Sequence, residues 1–228
     1  MLFASVIIII SLFSIISVSV VYPLQSINGQ TFESNSTQAN TTTIGAQIHW
    51  ANYTNDKFGF SVEYPQSWII EERQNRFENT VETAIIAPGT KSDPNWGRFN
   101  FENASPSTTS NIRVLTNLLM DAAIGGFDVD YDGRLIEGAN TTRYQLGGES
   151  SGAFTYVLDK KDFTGGETTS TPDSAIEEVA TIHDGKEYIF SFVASPENFD
   201  NPTLTQIRQH MFDSIRWENS SSQEQVLN

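Results

Sequence analysis

Cysteine is absent from all 228 residues, which removes disulfides, thiol nucleophiles, cysteine-ligated zinc, iron–sulfur clusters and anchoring through a lipidated cysteine. Positive charge is scarce. Lys and Arg number 13 against 28 Asp and Glu, a formal charge of −15, and no basic residue precedes Lys57. Such a chain repels phosphates and has no basic cluster to offset the repulsion, so nucleic acid is excluded as a partner. Histidine occurs only at His49, His183 and His210, without any metal-binding spacing, and each is expected at the surface. No G-x-G-x-x-G string occurs, and Gly185-Lys186 lacks the flanking residues of a phosphate loop, so nucleotide binding has no support. A repeat of solenoid or propeller period is missing as well.

What is present is an ordinary globular composition, with 38% hydrophobic residues and 15 glycines, enough for one sizeable core. Leu2 to Tyr22 carries no charge, and about 20 such residues at 1.5 Å each match a ~30 Å hydrocarbon core. Residues 1–29 are therefore expected to enter a membrane, either as a signal peptide that is removed or as a retained N-terminal anchor. The absent basic n-region and the length of the run leave both open. Residues 30–46 are polar and aperiodic, which suits a flexible linker, and 219–228 form a similar tail. Sequons at Asn35, Asn40, Asn52, Asn103, Asn140 and Asn219 fit an exported glycoprotein.

Residues 47–218 are expected to form one domain. Short β-rich runs at Ile48–Tyr53, Phe58–Tyr64, Trp68–Glu72, Val81–Ala87 and Arg98–Phe101 are separated by Asn, Asp, Pro and Gly. The period then changes: Ile112, Leu115, Leu119 and Ala122 fall on one helical face, with Ser110 as cap and Gly125-Gly126 as stop. Strands resume at Phe127–Tyr131, Arg143–Leu146, Phe154–Leu158, Glu177–His183 and Lys186–Ala194. The last two are joined by the Asp184-Gly185 hairpin signal. Asn201 as cap, Pro202 at the first position and the stripe Leu204, Ile207, Met211, Ile215 close the domain with a second helix. About ten strands with only two helices cannot supply parallel crossovers. The fold class is α+β: an α/β/α sandwich with a central, mostly antiparallel sheet and a helix on each face.

Phe58-Gly59-Phe60-Ser61-Val62-Glu63-Tyr64-Pro65-Gln66-Ser67-Trp68 is an aromatic strand, a Pro-initiated turn and a Trp that opens the next strand. This resembles the opening of PsbP-like domains, the family of the extrinsic photosystem II subunit, which share a fold with a nuclear-transport factor that binds a small GTPase. The Gly148–Tyr156 stretch, Asp184–Phe190 and the closing Asp213-Ser214-Ile215-Arg216-Trp217 are similar too. The resemblance spans roughly residues 48–217 and implies a non-enzymatic, membrane-associated accessory module. It departs from the photosynthetic members in lacking a basic N-terminal extension, which argues against a photosystem role. Trp68 and Tyr64 are expected to pack the core.

Two strings carry rival chemistry. Asp128-Val129-Asp130-Tyr131-Asp132-Gly133 matches the first half of a calcium loop, with Glu137 the nearest further acid, but Ala139 stands where the bidentate Glu belongs. The competing reading is a half-exposed strand with Asp132-Gly133 as a turn. Gly148-Glu149-Ser150-Ser151-Gly152 spells G-x-S-x-G, yet a strand and not a helix is expected after it, so Ser150 lacks the setting of a hydrolase nucleophile. The reading that results is a non-enzymatic extracytoplasmic accessory module, secreted or anchored, that offers an acidic surface to a membrane-associated or cell-surface protein. The alternatives are a calcium-dependent surface protein using Asp128, Asp130, Asp132 and Glu137 as metal ligands, and, more remotely, a secreted serine hydrolase.

Overall fold

The computed structural model describes residues 47–75, 80–125, 131–162 and 169–218. Every element below lies within the unit Ile48–Asn228. In order they are β1 (Trp50–Asn55), β2 (Phe60–Pro65), β3 (Ile69–Asn75), β4 (Thr80–Ile86), β5 (Arg98–Pro106), α1 (Ile112–Ile124) and β6 (Tyr131–Asn140). There follow β7 (Gln145–Leu146), β8 (Glu149–Asp162), β9 (Thr169–His183), β10 (Lys186–Ala194), α2 (Pro202–Asp213) and β11 (Arg216–Trp217). The N-terminal apolar run lies outside the described residues, among which no helix is long and apolar enough to cross a membrane.

The strands form a small sheet ordered β1-β2-β11 and a large one ordered β3-β4-β5-β10-β9-β8-β6, with β7 paired to β8. Every pairing among the described residues is antiparallel, so the protein is α+β with mostly antiparallel sheets and two helices. The Asp184-Gly185 expectation holds. Both residues have positive φ, 49° and 72°, as a two-residue primed turn requires, and His183 pairs with Lys186 across it. The strand it launches, β10, lies fourth along the seven-strand path of the eight-stranded large sheet. Its Phe190 and Phe192 are fully buried on one face, and on the other Ser191 is buried with Ile189 and Val193 half-buried, so both faces are covered, which accounts for a run that is apolar at successive positions.

Apolar side chains gather in two clusters. The larger joins Phe60, Phe99, Phe101 and Phe190 to Leu204, Met211 and Phe212 of α2, with edge-to-face pairs such as Phe60–Phe101 at 4.7 Å and Phe60–Phe190 at 5.3 Å. Trp68 belongs to it and Tyr64 packs against it, as anticipated. The smaller comprises Phe154, Tyr156 and Ile176, against which Leu119, Met120 and Ala123 of α1 pack.

Boundaries differ from the sequence expectation where a polar residue took the role of its neighbour. Asn111, not Ser110, caps α1, its Oδ1 accepting from Arg113 N at 3.0 Å. Asn201 caps α2 as expected and accepts from Thr203 N at 2.9 Å. Asp132-Gly133 is no turn: both residues lie inside β6, opposite Asp159 and Leu158. The last helix stops at Asp213, short of the Ile215 expected in its stripe, and Arg216-Trp217 forms β11, pairing with Ser61 and Phe60.

Candidate functional site

Successive side chains of a strand alternate between its faces, and β9 is buried on both, with Ser174, Ile176 and Ala180 on one and Ala175, Glu177, Val179 and Thr181 on the other. Glu177 thus carries a carboxylate to a position of zero exposure, where an isolated charge is costly and must be answered by partners. Three side chains answer it. Arg208 of α2, next to the inward stripe at Ile207 and itself only 3% exposed, places Nε 2.9 Å from Glu177 Oε2. Arg143 places Nε 3.1 Å from Oε1, and the buried Tyr144 hydroxyl donates to the same oxygen at 3.1 Å. One carboxylate therefore ties α2 and the segment before β7 to the large sheet.

Burial pushes the Glu177 carboxyl above the ordinary carboxylate range, while the Arg208 and Arg143 guanidiniums pull it back. Burial also raises the Tyr144 phenol, reinforced by the Glu177 charge, so that it stays protonated and acts as a donor. Oε2 of Glu177 has no aligned hydrogen bond despite the nearby Arg208 Nε. Arg208 is further held by donation from Nη1 to Phe199 O at 3.3 Å and by the Phe199 ring, 4.1 Å below its guanidinium. Arg143 reaches out to Glu137, Nη1 to Oε2 at 2.7 Å.

A cleft of about 210 Å³ opens over this cluster. Arg143 and Arg208 line it, Thr155 and Ala175 contribute from β8 and β9, and Glu137 and Asp200 bring acids. The site can therefore bind by charge and shape, and its cations are immobilised in advance by Glu177.

The sequence-derived candidates lie elsewhere or play other parts. Asp128 and Asp130 fall outside the described residues. Asp132 pairs with Lys161 at 2.8 Å, and Glu137 pairs with Arg143, so each described member faces a cation. No group of three or more His, Asp or Glu able to hold a metal occurs among the described residues. Ser150 sits beside the β7–β8 hairpin, opposite Gln145, and β8 continues as strand where a nucleophile elbow needs a helix. Gly152, which ends that string, serves packing: a Cβ there would overlap the Thr116 hydroxyl of α1. Gly133 is similar, since a Cβ would strike the Ala123 carbonyl. His49 is exposed, but the other two histidines are more enclosed than expected. His183 stacks on Trp217 at 4.3 Å with Glu149 at 3.3 Å, and His210 stacks on Trp50 at 3.7 Å with Glu63 at 2.7 Å.

Glu177, Arg208, Arg143 and Tyr144 were not singled out by motif reading, because no consecutive string joins them. A signal existed nonetheless. Glu177 stands in a strand run flanked by Ala175-Ile176 and Val179-Ala180, and Arg208 adjoins the buried stripe of α2.

No family model matches the sequence, and no curated protein matches it. Among solved structures, the solution structure of cyanobacterial PsbP (CyanoP) from Synechocystis sp. PCC 6803 is similar, with a TM-score of 0.50 at 12% identity, covering 76% of this chain and 95% of that one. The 1.9 Å crystal structure of the Saccharomyces cerevisiae Ran-binding protein Mog1p gives a TM-score of 0.48 at 7% identity, covering 77% and 98%. The fold is PsbP-like, as the Phe58–Trp68 opening led us to expect.

Proposed function

We propose that this chain is a non-enzymatic, extracytoplasmic PsbP-like module that presents an acidic surface to a membrane-associated protein partner, its N-terminal apolar segment delivering it to that membrane face. In this reading α1 and α2 cover opposite faces of the large sheet, leaving loops and edges for recognition. The observation that carries the proposal is the distribution of charge on a PsbP-like fold. Asp56, Asp121, Glu197 and Asp200 are exposed and make no ion pair among the described residues, within a chain of formal charge −15. Buried charge is spent instead on fixing α2 through Glu177. An acidic exterior of this kind favours a basic partner and speeds the encounter in a salt-dependent way.

The test is capture of partners from a membrane fraction by the full chain at 50 and 500 mM NaCl, with protease added from outside intact cells to report the side on which the domain lies. The proposal expects a basic-faced protein held at low salt and released at high salt, and a domain cleaved from outside. A domain protected from external protease, or binding indifferent to salt, overturns it. Incubation with a serine-directed fluorophosphonate is expected to leave Ser150 unlabelled, and labelling there would establish a hydrolase instead.

A further inference from the structure

We propose that β6, an edge strand of the large sheet, pairs with β6 of a second copy of this chain, so that two sheets continue into one across a two-fold axis at Gly133. β6 ends the strand order and pairs with β8 alone among the described residues. Such an edge offers backbone groups to any strand whose side chains can meet its own.

Which groups face outward follows from the β9–β10 turn. The closing pair of a two-residue hairpin exchanges both of its backbone bonds, and here that pair is His183 and Lys186. Register runs unbroken from His183 to Ala175 in β9 and from Ser151 to Leu158 in β8, so alternation carries the pattern across the sheet. Glu177, Val179 and Thr181 bond to β10, Ile176 and Glu178 bond to Tyr156 and Phe154, and Val157 and Asp159 turn to Arg134 and Asp132 of β6. Gly133 and Leu135 therefore direct their N–H and C=O groups away from the sheet. Beyond Leu135 the register slips, and this bulge confines the regular edge to Tyr131–Leu135.

Those five residues run apolar, acidic, glycine, basic, apolar, an order that complements itself when laid antiparallel. With Gly133 opposite its own copy, Asp132 meets Arg134 of the second copy and Tyr131 meets Leu135, each pair occurring twice. Asp132 and Arg134 then occupy the pairs without mutual backbone bonds, where side chains stand closest. Leu135, 37% exposed, gains an apolar cross-strand neighbour on the face that carries α1, whose Ala123 carbonyl lies over Gly133. The side chains of Asp132 and Arg134 are 55% and 57% exposed, so each has room for a second partner. The pairs Lys161–Asp132 at 2.8 Å and Arg134–Asp159 at 3.1 Å would join into a row that alternates in sign. These four charges sum to zero within a chain of −15, so the contact meets no local repulsion. That self-complementarity selects a second copy over an unrelated strand. Five residues at about 3.4 Å each span roughly 17 Å, a small interface whose occupancy depends on concentration.

Sedimentation equilibrium of the full chain from 5 to 500 μM in 150 mM NaCl tests the pairing, and a monomer–dimer equilibrium is expected. Arg134→Glu and Asp132→Lys each set like charges opposite one another twice and should each weaken the dimer at least about tenfold. Exposed ion pairs contribute little to stability, so both variants should keep the fold by circular dichroism. An equimolar mixture of the two should recover a heterodimer, because the introduced lysine of one faces the introduced glutamate of the other while the native Arg134 and Asp132 pair as before. Both intrachain contacts stay broken in that mixture, so recovery reports the pairing and not the fold. A parent chain that remains monomeric, a dimer indifferent to either variant, or a mixture that associates no more tightly than its components overturns the proposal.

Discussion

Glu177 shows how one side chain can hold distant parts of a chain together at some cost. Its carboxylate is fully buried, and two guanidiniums and a phenol from separate segments converge on it. Replacing such a pair with apolar groups is often harmless, but removing one partner strands the others. Glu177→Gln should therefore cost about 3 kcal/mol, lowering Tm by roughly 6–12 °C for a domain of this size. Calorimetry checks it, and an unchanged Tm would mean that the carboxylate carries none of this load. Asp173 behaves differently because it lies nearer the surface. Burial opposes its charge, but the Lys91 ammonium at 2.6 Å and the Ser174 hydroxyl at 2.8 Å outweigh it and hold the carboxyl below its ordinary 3.8. A lowered folded pKa contributes stability that is present above the unfolded value and lost as pH falls through the folded one. Asp173→Asn should thus cost about 1 kcal/mol at pH 7, and in denaturant titrations the gap from the parent chain should close as pH drops below 3.8. A gap that persists in acid would assign the effect to packing.

Elements meet most closely where a glycine lets them. A Cβ on Gly152 of β8 would overlap the side chain of Thr116, which is itself fully buried on α1. Gly152→Ala should cost about 1–3 kcal/mol through overpacking, and adding Thr116→Ala should recover most of it, a coupling that a double-mutant cycle reads directly. Additive losses would show that α1 does not press on β8 at this point. The cap of α2 offers a simpler test: Asn201→Ala removes the acceptor for Thr203 N and should lower stability by about 1 kcal/mol. These positions also mark what was legible in the sequence. Local chemistry could be read: Asn201-Pro202 capped α2, and Asp184-Gly185 made its turn, because each depends on residues a few positions apart. Gly152 and Gly133 could not, since their strings suggested a nucleophile elbow and a calcium loop while their partners, Thr116 and Ala123, sit on a helix that only the tertiary fold brings near. Glu177, Arg143 and Arg208 were hidden for the same reason, being joined across β9, α2 and the segment before β7 and by no motif.

At the scale of the whole molecule, composition set the sign of the field but not its pattern. The formal charge is −15 from 13 basic and 28 acidic residues. Of the basic ones, Lys91, Arg98, Arg134, Arg143, Lys161 and Arg208 are engaged in ion pairs. The other seven cations are well outnumbered by the remaining acids, Asp56, Asp121, Glu197 and Asp200 at the surface among them, so mutual repulsion should weigh against the folded state. Salt acts on two opposed terms here. It screens exposed repulsion readily but reaches the buried Glu177 cluster much less, and the surface ion pairs it weakens are worth little individually. Raising NaCl from 10 mM to 0.1 M shortens the Debye length from roughly 30 Å to about 10 Å, which leaves contacts intact but mutes repulsion between distant acids. Stability should rise by about 1 kcal/mol, seen as a Tm increase of roughly 2–4 °C for the full chain. A Tm that falls with salt would mean that the ion pairs outweigh the repulsion, and the acidic exterior would then lose its standing as the feature a basic partner recognises.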